Sequence, residues 1–407
     1  MTALTTDDVR LEDPEFYQGD RETMYARLQR EAPAFYYHPL DIFVLSRLED
    51  IKEAARTPEI FSSAHGLHLG ELRLDPDERA VYKTLFGTEG EQFAYADPPR
   101  HRDLRSMASR SFAPKAIAYL GEQIEKHVAG MLGEIELGKP FDFIEQVGGP
   151  LPFRVAEDLI GLPRGHEAQI AAWSEALENL KLIRGAENLR KQIETFRTMN
   201  DFFRERIAYK RQHPAEDLIS NLLEAQLDGE PVSEANLLIM CSTFLAAGSD
   251  NTRALLASMV RAFAMNPEQW DILRANPELL DNAVEESLRW ATPARGFART
   301  VMSDTEIAGT SIKQGQRVYL LFDAGNRDAD AFESPWTFDI RRHEPRRQLS
   351  FGYGVHQCIA AHLARLEARI VLRRLVERYE RLELAGEPEP IRQVLRSGWL
   401  DMPVTFH

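Results

Sequence analysis

Phe351-Gly352-Tyr353-Gly354-Val355-His356-Gln357-Cys358-Ile359-Ala360 sets one thiol behind a loop hinged by two glycines and ahead of a proline-free stretch. That stretch is expected to be helical from Cys358 to about Tyr379. A sulfur at a helix amino terminus meets N–H groups without intrahelical partners and the positive end of the helix dipole, and both favour the thiolate. Glycines at 352 and 354 permit backbone conformations and close approaches that a side chain blocks. The chain holds 2 cysteines, Cys241 and Cys358, far apart in sequence. Neither a disulfide framework nor a four-thiolate metal site is therefore open to it. Cys241, inside an apolar helical stretch, is read as a packed core thiol.

Immediately upstream, residues 323–355 are irregular, punctuated by Asn326, Pro335, Pro345 and Gly352; long loops inside compact domains usually carry function. Before them comes a strand-like stretch from Phe297 through Val318 to Phe322. Helices are expected at 277–290 and 267–275, and residues 233–265 contain no proline and a single glycine, Gly248. At ~1.5 Å per residue that segment makes one helix of ~48 Å. Helical patterns also cover 99–112, 114–137, 152–161, 165–212 with breaks, and 216–228. Nearer the amino terminus, 35–38 and 41–46 flank a Pro39-Leu40 turn as a short hairpin, followed by a helix over 47–56. No repeat or linker divides the chain, so residues 1–407 are expected to form a single domain, mainly α with small β-sheets, preceded by a variable segment over 1–30.

The composition is that of a globular protein, 43% hydrophobic and 28% charged. A net charge of −15 disfavours nucleic acid and anionic membrane, which are themselves negative. The amino terminus has no apolar core, and the strongest apolar stretch, 237–248, falls far short of the ~20 residues a spanning helix needs. A cytoplasmic protein acting on small molecules is the expectation.

Three further constellations carry chemistry. Glu286 and Arg289 share a helix face at i,i+3, and Phe338-Asp339-Ile340-Arg341-Arg342 follows downstream. In Asp97-Pro98-Pro99-Arg100-His101-Arg102-Asp103-Leu104-Arg105 the i,i+4 spacing points His101 and Arg105 the same way. In the long helix, Ala246-Ala247-Gly248-Ser249-Asp250-Asn251-Thr252 puts a glycine and small polar residues where a packing kink is the bland reading.

Taken together, these motifs resemble the cytochrome P-450 family in its soluble, bacterial form, over nearly the whole chain from about Asp50. The cysteine stretch is similar to the haem-binding loop Phe-Gly-x-Gly-x-His/Arg-x-Cys-x-Gly, with Ala360 in place of the usual last glycine. The resemblance implies a triangular, helix-rich fold holding haem b, iron protoporphyrin IX, between the long central helix and the cysteine-bearing helix. It makes Cys358 the thiolate ligand of the iron, with Phe351 shielding the sulfur. His101, Arg105, Arg299 and His356 would bind the haem propionates, and Glu286, Arg289 and Arg342 would form a structural network on the cysteine side. Gly248 to Thr252 resembles the oxygen-activation groove, in which Asp250 matches the acid and Thr252 the second alcohol, while Asn251 stands where threonine is usual. An amide both donates and accepts hydrogen bonds, so Asn251 is expected to help hold the oxygen species or its water.

The activity implied is insertion of one oxygen atom of O2 into a small, largely apolar organic substrate. Its electrons would come from a ferredoxin and its reductase, since no dinucleotide-binding Gly-x-Gly-x-x-Gly is present. Arg102, Arg110, Arg341, Arg346 and Arg347 are the candidate docking patch for that partner, the alternative being a scattered solvated face. Segments 61–95, 177–197, 238–247, 293–297 and 397–400 are the expected pocket, with Ala247, Phe297 and Arg295 as candidate substrate contacts. Arg295 stands where an apolar residue is common; it either binds an oxygenated substrate or sits in a salt bridge at the rim. Competing readings are a peroxide-driven peroxygenase or decarboxylase and a non-catalytic haem sensor. Substrate, redox partner and oligomeric state are not legible.

Overall fold

The computed structural model describes residues 4–84, 89–180, 183 and 185–407. The chain forms two compact units, one built from Met1–Ser62, Ile124–Leu151 and Asn251–His407, the other from Ser63–Gln123 and Pro152–Asp250.

The first unit is organised around a five-stranded sheet. Ala34–Tyr37 and Ile42–Leu45 make an antiparallel hairpin with Ala34 opposite Leu45. Ile42–Leu45 then pairs in parallel with Arg317–Leu321, which pairs antiparallel with Gly296–Val301, and Phe61–Ser62 closes the far edge. Side chains alternate across a strand, so Phe297, Arg299 and Val301 share one face, opposite Leu320 and Val318. That face carries the core of Leu45, Leu48, Ile51, Phe61, Val301, Val318, Leu320, Phe322 and Leu349. Burying each such side chain contributes about 1.5–3 kcal/mol relative to exposure. A second sheet joins Leu382–Leu384, Pro403–Phe406 and Pro140–Asp142. Helix Leu280–Ala291 packs on helix Ala361–Arg378, and helix Leu48–Arg56 packs on both Phe322–Gly325 and the turn Gly354–His356.

The second unit is helical, with Arg100–Ser109 packed on Leu218–Glu224 and Ile193–Gln212 on Glu167–Leu180. Helix Glu234–Met265 runs 32 residues; those up to Asp250 belong to the second unit and those from Asn251 to the first. No helix among the described residues is long and apolar enough to cross a membrane.

Two expectations need correcting. The helix read over 216–228 ends at Glu224 and gives way to a hairpin of Gln226–Leu227 with Glu230–Pro231. Asp228 and Gly229, at φ 57 and 82, supply the two positive-φ residues that such a tight turn demands. The helix expected from Cys358 begins at Ala361, because the Cys358 amide donates to Phe351 O at 2.8 Å and the chain turns once more before helical bonding starts. Within the segment expected to be variable, helix Arg21–Glu31 buries Tyr25 and Leu28 completely.

Candidate functional site

The cysteine loop is held from its glycines outward. Gly352 and Gly354 sit at φ 66 and 71. A Cβ on Gly354 would lie 2.1 Å from Ala55 O, so only glycine lets the loop rest against helix Leu48–Arg56. Gly352 N donates to Leu349 O at 2.7 Å, Gln357 N to Gly354 O at 3.1 Å, and Cys358 N to Phe351 O at 2.8 Å. These bonds leave Cys358 exposed, three residues ahead of the first helical position. Cys241 is fully buried, and burial pushes its thiol up to about 12. The two thiols therefore have opposite characters, one accessible and one inert. Phe351 is covered by the Arg365 guanidinium, 4.4 Å from its ring, and Arg365 in turn pairs with Glu285 at 2.6 Å.

Below that loop lies a closed ionic network. Arg289 Nε and Nη2 each donate to Glu286 at 2.7 Å, and Arg342 Nε reaches the same carboxylate at 3.0 and 3.1 Å. Remaining guanidinium donors meet the carbonyls of Asn326, Pro335 and Thr337, and for Arg342 those of Glu333, Ser334 and Thr337. Glu286 and Arg289 have no accessible surface, and Arg342 is 9% exposed.

The sequence-selected stretch of the long helix divides between the units. In the second, Gly248 faces Ala156 Cβ at ordinary contact distance, 3.5 Å from where a Cβ would stand, and Ser249 Oγ meets Ser174 Oγ at 3.0 Å. Ala247 is exposed and Asp250 half-buried. In the first, Thr252 is buried, and the Asn251 Oδ1 atom is buried with no hydrogen-bond partner among the described residues.

The candidate propionate ligands divide in the same way. His101 is buried and Arg105 lies over the Phe93 ring at 6.0 Å; burial, reinforced by Arg105, holds the His101 imidazole below its ordinary value. In the first unit, Arg299 is 6% exposed on the core face of its strand and donates to Ala298 O at 2.8 Å. His356 is half-buried in the turn ahead of Cys358.

Arg295 takes the ion-paired alternative, in the interior and not at a rim. Its exposure is 1%; Nε donates to Arg396 O at 3.1 Å, Nη1 reaches Asp323 at 3.4 Å, and the guanidinium lies 4.3 Å over the Tyr17 ring. Asp323 is the centre of a cluster that sequence reasoning missed. Besides Arg295, it accepts from Arg21 at 2.9 Å, Arg327 at 2.7 Å and the Tyr25 hydroxyl at 2.8 Å. Burial opposes its ionisation, but Arg327, Arg21 and Arg295 outweigh that and hold its carboxyl well below the usual range. The aspartate lies just ahead of Ala324-Gly325-Asn326-Arg327-Asp328, and its excess over an apolar setting at the end of a buried strand was the one signal available.

The candidate docking arginines all have carboxylate neighbours: Arg341 with Asp339 at 3.5 Å, Arg346 with Glu285 at 3.7 Å, Arg347 with Glu49 at 3.2 Å, Arg102 with Asp103 at 3.9 Å, and Arg110 with Glu224. Of the expected pocket segments, residues 85–88, 181, 182 and 184 lie outside the described residues.

Residues of the first unit fit a haem chemically: a soft, accessible thiol at 358, and the cationic donor Arg299 and the imidazole of His356 as groups suited to carboxylates, besides the buried Asn251 amide oxygen, an acceptor without a partner among the described residues. Comparison with known proteins points the same way. The model of the family described as "Cytochrome P450" (cytochrome P-450) matches residues 179–397. The chain is 33% identical to cytochrome P-450 107B1 of Saccharopolyspora erythraea, over 99% of each chain. It is 30% identical to a steroid C26-monooxygenase of Mycobacterium tuberculosis, over 98% of this chain and 97% of that one. The crystal structure of CYP108D1 from Novosphingobium aromaticivorans superposes with a TM-score of 0.88 at 27% identity, covering all of both chains. The chain belongs to the cytochrome P-450 family and is accordingly a monooxygenase whose cofactor is haem b.

Proposed function

We propose that this enzyme inserts one oxygen atom of O2 into a small, largely apolar organic substrate in the cytoplasm, with Cys358 as the thiolate ligand of the haem iron and a ferredoxin with its reductase as electron source. The observation that carries the assignment is the exposed Cys358, presented by a loop whose glycines, amide bonds and supporting helix fix it ahead of Ala361–Arg378. The Phe351 O–Cys358 N bond holds the loop, and the positive end of the helix that follows favours the charged sulfur. Haem b, when bound, supplies the activation of dioxygen. Arg299 and His356 of the first unit are its propionate partners, since charge-assisted bonds are the strong ones for carboxylates. Glu286, Arg289 and Arg342 keep the segment 326–342 rigid beside the loop. Asp250 and Thr252 carry protons, and Asn251 holds a water through the Oδ1 atom that the protein itself leaves without a partner. Ala247 and Phe297 face substrate; Arg295 does not, being committed to Asp323. The relative named steroid C26-monooxygenase makes apolar polycyclic compounds the first substrates to screen.

The assignment is tested by reducing the purified protein under carbon monoxide: a thiolate-ligated haem spectrum is expected for the wild type and its loss for Cys358→Ala. A colourless protein, or an unchanged spectrum in the variant, overturns it. Asn251→Ala is expected to divert reductant consumption from product; unchanged coupling removes the role given to Asn251. Turnover with hydrogen peroxide alone, as fast as with ferredoxin and reductase, would replace the electron source.

A further inference from the structure

Thr292 stands in the left-handed region, at φ 39 and ψ 68, with no accessible surface. It is an unsuitable residue for that conformation: threonine is β-branched, and the following Pro293 restricts its backbone further. Strain of this kind persists only where the surroundings over-determine it. Here the Thr292 amide donates to Leu288 O at 2.9 Å and its hydroxyl to Arg289 O at 2.9 Å. The hydroxyl accepts from Asn326 Nδ2 at 2.8 Å, and Ser397 Oγ shares its one hydrogen between Ala291 O at 2.6 Å and the Thr292 carbonyl at 2.9 Å. Ser397 N donates to Pro293 O at 3.0 Å, and Arg295 N donates to Leu395 O at 3.0 Å. Residues 292–295 and 395–397 are thus laced into one wall.

Asn326, also without accessible surface, carries the connection onward. Its second amide hydrogen goes to Ser350 Oγ at 3.1 Å, and its Oδ1 accepts from Leu349 N at 2.6 Å. Ser350 Oγ donates to Leu288 O at 2.7 Å. Both N–H groups and the oxygen of the Asn326 side chain are therefore used. Leu349 and Ser350 directly precede Phe351, whose carbonyl holds the Cys358 amide.

We propose that Thr292, Asn326 and Ser350 form a positioning relay that sets the cysteine loop from the wall segment 293–297, so that a disturbance of that wall is transmitted to Leu349–Cys358. Its functional meaning rests on the reading that 293–297 and 397–400 face substrate. Threonine is kept at a strained position because the relay needs a hydroxyl that donates to Arg289 O while accepting from Asn326. Valine matches its shape and strands one buried N–H; serine preserves both bonds.

The test is hydrogen exchange on the purified holoprotein, read in peptides covering 349–358 and, as control, 218–224. Thr292→Val and Ser350→Ala are expected to raise exchange in 349–358 by about fivefold or more, the effect of losing one buried bond, with the control unchanged and Thr292→Ser close to wild type. Ser397→Ala, which touches the wall but not the loop, is expected to raise the same peptide. Exchange within about twofold of wild type in Ser397→Ala and Thr292→Val overturns the relay, as does an equal rise in the control peptide. If Thr292→Val fails to fold, Ser350→Ala and Ser397→Ala decide. Exchange is read from the polypeptide, so a colourless protein would refute the haem-thiolate assignment and leave this measurement interpretable.

Discussion

Two buried ionic clusters of the first unit solve one problem in different ways. Glu286 pairs with both Arg289 and Arg342 within residues 286–342, one carboxylate to two guanidiniums, and nearby backbone carbonyls take the spare donors. Asp323 faces three arginines, Arg21, Arg295 and Arg327, as far as 302 residues from it in the chain, and aromatic rings join the carbonyls of Arg396 and Trp290 in taking up the spare donors. Arg327 lies 4.9 Å over Trp336, Arg21 5.7 Å over the same ring, and Arg295 4.3 Å over Tyr17. The excess of positive charge and burial, burial first, lowers Arg327 to about 10. The comparison teaches that a buried charge tolerates an incomplete set of counter-charges when π-faces and one solvent-reaching partner share the load.

The largest effect is expected at the self-contained cluster. Glu286→Gln leaves two buried guanidiniums without a counter-charge and should cost about 3–5 kcal/mol in denaturant unfolding; a loss below about 1 kcal/mol would erase the contrast. Asp323→Asn should cost less, about 3 kcal/mol, because Arg21 keeps 26% of its side chain exposed and can turn to water. The pH dependence sharpens this. A carboxyl held below 3.8 in the fold contributes stability that is present above that pH and lost as pH falls through it toward the folded value. Acid titration of stability should show this loss in the wild type and lack it in Asp323→Asn.

A third buried carboxyl completes the series. Glu367, 3% exposed, has neither a partner for Oε2 nor a counter-cation among the described residues, and burial raises it well above its ordinary 4.5. The folded state keeps a proton that the unfolded chain releases above pH 4.5, so this group's contribution is full below 4.5 and declines as pH rises. Glu367→Gln should flatten that decline and stabilise the protein at pH 7 by on the order of 1 kcal/mol, measured as the thermal midpoint against pH. The smallest effect belongs to Arg21→Gln, under about 1 kcal/mol because the side chain reaches solvent.

These clusters also mark how far the sequence could be read. The Glu286–Arg289 pair was visible because i,i+3 spacing on one helix is a local property, and Arg342 followed from the motif's order along the chain. Asp323 was passed over as the first residue of an irregular stretch, although the segment through Asn326 is buried and helical. Arg295 looked like a substrate contact or a rim residue because its partners, Tyr17 and Asp323, come from elsewhere. The amino-terminal segment was read only as variable, and the commitment of Arg21 and Tyr25 to the interior rests on their distant partner Asp323.

By itself, the sequence determined the cysteine loop, the long helix, the helix–strand succession and the family they identify, because each depends on residues close together in the chain: glycines two apart, a thiol four beyond them, apolar positions at helical spacing. Only the tertiary structure decided which buried charges meet, that the helix after Cys358 starts at Ala361, and that Thr292 is held in a backbone conformation it disfavours. Those outcomes depend on hydrogen bonds and packing between segments that meet only in the folded chain, some within one loop and others up to 302 residues apart, and such pairings leave no periodic trace in the order of amino acids.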